Sequence, residues 1–310
     1  GVNSLNSLME MPPNDCIYTY NLMPSEYGMR LRKGYREWST GAAGDVRTII
    51  KYQGRSPQDD RLWAVTENGI YDVSLFNTTA PVQDMAFLVQ GESSGYGVYT
   101  EFVNDAAEHI LFYADEANGL FQYRTGLGWV QVPGGTAAGE WSYDDPNNPG
   151  VPIAAPTDKI AFITVHKLRI WVVFKGSADA FYLPLFQASG ELKKFVFGAK
   201  MVHGGDLVGL WTWSMDGGEG MDDYLIAVSR SGDVMAYKGD DPEIAASSQD
   251  SAGGPWTLIG TWFIGKLPAS RRVAISQSSN LYLLSSYCLV DTRSLLQGAE
   301  VAAEVASPSA

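Results

Sequence analysis

A strand-turn-strand phrase recurs along this chain and restricts its fold more than any other feature. Residues 62–73 and 224–237 carry it most clearly. In each, an apolar run rich in Val, Ile, Leu and aromatics reaches a short polar turn, Glu67-Asn68-Gly69 or Arg230-Ser231-Gly232, and a second apolar run returns. Looser copies occupy residues 110–123, 169–183 and 280–290. The turns recur at roughly 50 to 60 residues, within and just above the spacing of propeller blades. One hairpin cannot bury both of its faces, so each copy needs a neighbour. The pattern predicts an all-β fold: a β-propeller-like array of antiparallel hairpins, about five or six blades, closed by N- and C-terminal strands.

At 310 residues a chain usually divides in two, but a radial array of small sheets can run this long as one body. Hydrophobic residues make up 45% and charged residues 18%, which is ample for a core. The many Trp and Tyr side chains suit packing of sheet on sheet, because they bury much area with few rotatable bonds. Helical periodicity is confined to residues 5–11 and 295–305. The expected organisation is an N-terminal segment with a closing hairpin over 1–38, a propeller-like body over 39–296, and a poorly ordered tail over 297–310. Gly, Pro, Asn and Asp mark long loops at 134–156, 216–223 and 240–255, read as insertions at hairpin tips or between blades.

The N-terminal hairpin is expected to pair residues 15–22 with residues 29–36 through a turn at 24–28. Its second arm alternates Met29, Leu31, Lys33 and Tyr35 with Arg30, Arg32, Gly34 and Arg36, a strand period with one basic face. The rest of the chain is acidic. A net charge of -13 argues against a protein that grips nucleic acid with clustered Lys and Arg. An acidic wall is nevertheless compatible with DNA passing by, since it repels phosphate. No apolar run is long enough to span a bilayer, and no secretory layout opens the sequence, so a soluble chain without stable membrane insertion is expected.

Chemistry-bearing clusters are sparse. Cys16 and Cys288 are too few for a zinc site or a redox pair, and a reducing compartment is expected to keep them as thiols. His109, His166 and His203 lie far apart and read as strand-edge or loop residues. The carboxylates of residues 216–223 lack the spacing of a calcium loop. Those of Asp144-Asp145-Pro146 and Asp240-Asp241-Pro242 are adjacent on an extended chain, point to opposite faces, and read as turn-formers. No phosphate loop is present. The expectation is a protein that is not an enzyme, with no catalytic residue, cofactor or metal.

The order of several short motifs resembles a known family. It runs from residues 3–6 and Met11-Pro12-Pro13 through residues 20–24, Gly28 and residues 32–35 to residues 70–73. It resumes at residues 231–237, Gly239-Asp240-Asp241-Pro242, residues 256–260, Phe263-Ile264-Gly265 and Arg271-Arg272. This succession is similar to that of the propeller-like tail accessory proteins of short-tailed bacteriophages, the tail nozzle or packaged-DNA-stabilisation proteins. The similarity spans about residues 4–296; residues 287–290 and the Ala-rich end depart from it.

The resemblance implies a structural virion protein of the tail, assembled in the host cytoplasm as a ring of copies, with six as the candidate number. Its partners would be the portal adaptor and other tail proteins. Double-stranded DNA would pass through the ring without specific binding, and the protein would help retain and release it. Candidate subunit or adaptor contacts are Arg30, Arg32, Lys33 and Arg36, with Trp211 and Trp213 beside the 216–223 loop. Two other classes remain open on the residues alone: a propeller that binds a receptor or partner protein, and a carbohydrate-active propeller enzyme. Ring closure is expected from residues 17–22 or 29–36 lying beside residues 281–290, because an open sheet edge invites aggregation.

Overall fold

Each recurring phrase forms the second and third strands of a small antiparallel sheet, and together the sheets make a five-bladed β-propeller. The structure is a computed structural model that describes residues 7, 9–12, 15–18, 20–25, 28–216, 221–243, 256–277 and 280–296. A hairpin of β1 (Leu22–Ser25) and β2 (Gly28–Leu31) precedes the blades. Blade 1 comprises β3 (Thr48–Tyr52), β4 (Arg61–Val65), β5 (Gly69–Asp72) and β6 (Val82–Ala86). Blade 2 comprises β7 (Gly97–Val103), β8 (His109–Asp115), β9 (Gly119–Arg124) and β10 (Gly128–Gln131).

Blade 3 is wider. Its own strands β13 (Ile160–His166), β14 (Arg169–Phe174), β15 (Ala180–Tyr182) and β16 (Gly190–Phe195) are extended outward by β11 (Trp141–Asp144) and β12 (Pro152–Ala154), in the order β12-β11-β16-β15-β14-β13. Blade 4 is β17 (Leu207–Asp216), β18 (Met221–Ser229), β19 (Asp233–Lys238) and β20 (Thr257–Phe263). Blade 5 has three strands, β21 (Ala274–Gln277), β22 (Asn280–Leu284) and β23 (Leu289–Asp291), followed by the short helix α1 (Thr292–Leu296).

Strand alternation explains why the phrases are apolar throughout. Along β8, Leu111 and Tyr113 point into the core shared with blade 1, whereas Ile110, Phe112 and Ala114 point into the core shared with blade 3. In β14, Trp171 and Val173 face blade 4 while Ile170 and Val172 face blade 2. In β18, Leu225 and Ala227 serve blade 3, and Ile226 and Val228 serve blade 5. A strand sandwiched between two neighbours must be apolar on both faces. End blades differ: Leu281 and Leu283 of β22 are buried against blade 4, but Leu284 is exposed.

Four apolar cores therefore join blades 1 and 2, 2 and 3, 3 and 4, and 4 and 5. Among the described residues none joins blade 5 to blade 1. The terminal strands expected to close the ring are not found there either, since β1 and β2 pair only with each other and blade 5 ends at β23. Arg272 bridges the gap instead. The Arg272 guanidinium donates to the backbone oxygens of Arg47 and Gly97 and contacts Thr48 Oγ1, tying the start of blade 5 to blades 1 and 2. Beside it, buried Arg271 donates to the carbonyls of Leu207 (2.8 Å) and Val208 (2.9 Å) in blade 4. It also faces Glu116 in the β8–β9 turn of blade 2, with Nη2 3.2 Å from Oε1. Arg271 Nε is 3.2 Å from Glu116 Oε2 but off the hydrogen-bonding direction, so that contact is ionic.

Other expectations change in detail. The N-terminal hairpin is shorter than read, pairing Leu22 with Leu31 and Met23 with Arg30. It is an appendage, not a sixth blade. The 134–156 stretch is not a plain loop, because it contains β11 and β12. Helix begins at Thr292, before the expected start at 295, and residues 297–310 lie outside the described residues, as do 217–220 and 244–255 of the other two loops. Cys16 and Cys288 are not joined in a disulfide.

Gly69 and Gly232 carry the positive φ that their turns need, 155° and 106°. A Cβ on Gly69 would fall on the Met85 carbonyl oxygen, and one on Gly232 on that of Gly265. Gly69→Val and Gly232→Val are each expected to cost roughly 1 to 3 kcal/mol, read as lower urea midpoints. Unchanged midpoints for both would contradict the turn argument.

Candidate functional site

The inner strands of all five blades surround an axial cavity of about 680 Å³. Its wall includes Ile49, Val98, Phe162 and Trp211, together with Arg271 and Arg272; no carboxylate, histidine or cysteine is among the residues lining it. Such a cavity is far too small for a nucleic-acid duplex.

Trp211 and Trp213 are not the loop-borne pair that the sequence led us to expect. Both belong to β17, whose alternation sends them to different places. Half-buried Trp211 meets Phe162 edge-on, with ring centroids 5.1 Å apart. Trp213 is buried in the core between blades 4 and 5, with its ring 5.8 Å from Tyr224. Burial removes Trp213 as a subunit or adaptor contact.

The three histidines are as separate as their spacing implies. His109 pairs with Glu101 at 2.9 Å, and His203 Nδ1 lies 2.7 Å from Asp233 Oδ1. His166 is buried: its Nδ1 is 3.0 Å from Thr212 Oγ1, and its Nε2 has no hydrogen-bond partner among the described residues. Burial lowers its pKa from 6.5 to about 4, with the nearby Lys167 charge adding to the effect. The folded chain thus holds His166 neutral while the unfolded chain protonates below about pH 6.5, so stability falls as pH drops from 6.5 towards 4. The loss attributable to this group is about 2 kcal/mol at pH 5 relative to pH 8. His166→Asn should flatten that part of a stability-versus-pH curve; an unchanged curve would show that the group does not titrate this way.

The basic segment stands clear of the disc at its far end and is fixed at its root. Trp38 Nε1 donates to the Val73 carbonyl (2.7 Å), Thr40 N to Thr78 O (2.8 Å), and Asn77 N to Trp38 O (2.7 Å). The Arg36 guanidinium sits 4.3 Å from the centroid of the Phe76 ring, a cation–π contact that belongs to the anchor. Beyond it, Arg30, Arg32 and Lys33 are exposed and make no ion pair among the described residues. Tyr18, Tyr20, Leu31 and Tyr35 lie 74% to 91% open to solvent. So many large apolar side chains on an arm with a basic face mark an interaction surface.

A second feature was not legible in the sequence. By pairing in parallel with β16, β11 forms a groove of about 660 Å³ at the outer edge of blade 3. Buried Trp141 anchors it, donating from Nε1 to the Ala188 carbonyl at 3.0 Å. Tyr143, Phe181 and Leu192 supply apolar lining, and Pro146 and Pro149 flank them. Asp144, Asp145 and Glu191 also line it, together with Lys193 and Lys194. Asp144 accepts from Gly150 N (2.6 Å) and Asp145 from Asn147 N (2.9 Å), which is the turn role expected of that acidic pair. None of the three carboxylates meets a cation among the described residues, because Lys193 is taken by Glu243 (2.8 Å) and Lys194 by Asp179 (2.9 Å). A Trp and an Ile-Ala-Ala run inside the Gly- and Pro-rich 134–156 stretch were the available signal.

Comparison with known proteins adds little. No family model matches the chain, and no curated protein matches it. Among solved structures, BBS1N from its crystal structure with ARL6DN aligns over 80% of this chain and 65% of its own, at 10% identity and a TM-score of 0.42. This chain thus spans about two thirds of that chain's length. A putative 6-phosphogluconolactonase from Bacteroides uniformis aligns over 81% of this chain and 70% of its own, at 11% identity and a TM-score of 0.36. Likenesses this distant carry no functional argument.

Proposed function

We propose that this chain is a ring-forming structural subunit of a short-tailed phage tail: a nozzle-type component below the portal and adaptor that lines part of the DNA conduit and helps retain and release the genome. The observation that carries the ring-forming part is the anchored arm, which presents exposed aromatic, aliphatic and basic side chains beyond a rigid disc. Motif order supplies the phage context. The acidic balance suits a conduit wall, where repulsion of phosphates acts over about 10 Å at 0.1 M salt.

The test has two arms. Mass measurement of the purified full chain, alone and with an adaptor, should give a multi-copy ring. Electron microscopy of virions carrying a label on this chain should place the label in the tail. A chain that stays monomeric in both mixtures favours the second reading, a propeller that binds a partner protein, for which the fold itself is the support. A ring former absent from virions would retain assembly and lose the nozzle.

A further inference from the structure

We infer that the basic arm of one copy docks in the acidic groove on blade 3 of a second copy; this deepens the ring-forming reading and rests on it. The two surfaces are complementary in charge. Among the described residues Arg30, Arg32 and Lys33 have no acidic partner at the free end of the arm, and Asp144, Asp145 and Glu191 have no basic partner around the groove, whose Lys193 and Lys194 are paired with Glu243 and Asp179. They are complementary in polarity as well, since Leu31 and Tyr35 are interspersed with the arm's cations and Tyr143, Phe181 and Leu192 accompany the groove's carboxylates. A space of about 660 Å³ takes a few side chains of an extended segment, not a folded domain.

Geometry directs the contact to another copy. The arm leaves its anchor at Trp38, and the eight residues back to Arg30 reach at most about 27 Å when fully extended. Blade 3 stands two blades round the five-bladed ring from blade 1, with its groove on the outer edge, nearly across the disc from the anchor. Donor and acceptor are thus different patches on opposite sides of one chain. Repeated between copies, such a contact is heterologous and generates a closed ring or a filament, not a two-fold dimer. In free chains the arm's exposed apolar side chains stay wet; docking removes them from water.

The experiment uses the full chain and reads self-association by sedimentation velocity. Arg30→Glu with Arg32→Glu should weaken association at least tenfold, as should Asp144→Asn, Asp145→Asn and Glu191→Lys together. Asn keeps a side-chain oxygen for the turn bonds of Asp144 and Asp145, and circular dichroism checks that each variant folds. Mixing the two variants should restore assembly beyond pairs, since the intact arm of one meets the intact groove of the other and the arm carboxylates of the first meet Lys at 191 of the second. Combining all five changes in one chain should restore association, arm carboxylates now facing Lys at 191. Raising NaCl from 50 to 500 mM should weaken the wild-type assembly at least tenfold.

Unaltered association of either variant, failure of the mixture to pair, or a monomeric wild type overturns the inference. A wild-type chain that is monomeric but captures an added peptide of residues 15–40 through the same groove also overturns it, because the site then serves a basic segment of another protein. Labelled virions judge the nozzle reading separately: a tail-located label with unaffected charge variants leaves that reading standing and removes only this contact.

Discussion

Trp141→Ala is expected to destabilise the chain by about 4 kcal/mol, near the upper end of what the loss of one buried side chain costs. Trp141 is 1% exposed, packs its ring 6.0 Å from that of Phe112, and uses its only polar hydrogen on the Ala188 carbonyl. Truncation leaves a cavity in the core between blades 2 and 3 and strips Ala188 of its donor. It also releases β11 from β16, because the parallel register begins at this residue, opposite Gly190. At about 2 to 4 °C per kcal/mol, the melting temperature should fall on the order of 10 °C. Trp141→Phe retains most of the volume and should cost much less. A loss below about 1 kcal/mol for the alanine variant would mean that the β11–β12 extension is held by other contacts.

Arg271→Met should cost about 3 kcal/mol, chiefly because it leaves the Leu207 and Val208 carbonyls unpaired in a dry environment. Met fills similar space, so the measurement isolates the guanidinium. Glu116 is 33% exposed and can turn to water, so Glu116→Gln should lose under 1 kcal/mol. Denaturant unfolding of both variants distinguishes the roles. Equal losses would assign the stabilisation to the ion pair, whereas a neutral Arg271→Met would show that blade 5 stays joined to blades 2 and 4 without this bridge.

The five hairpins could be read directly because each is local. The turn glycines, the two apolar runs and the strand period sit within about fifteen residues of one another, and two-faced burial imposes an unbroken apolar composition on them. The basic arm was equally legible, since its alternation lies in consecutive residues. Closure was not. A general preference for covering sheet edges pointed to terminal strands, and the structure instead joins blades 5 and 1 through Arg272. Trp213 was misplaced for a related reason: neighbouring aromatics in a strand look alike in sequence, and the blade packed against each face decides which is buried.

What the sequence determined by itself is the repeated unit, its number to within five or six, and the charged arm, because these follow from side-chain type at short spacing. Tertiary structure alone decided how the ring closes and where the groove lies. Both join residues remote in the chain: Arg272 reaches Arg47 across 225 positions, and Asp144 reaches Glu191 only through a parallel strand pairing. Pairing of that kind is selected by the packing of whole blades. A local pattern holds no record of which distant strand it will meet.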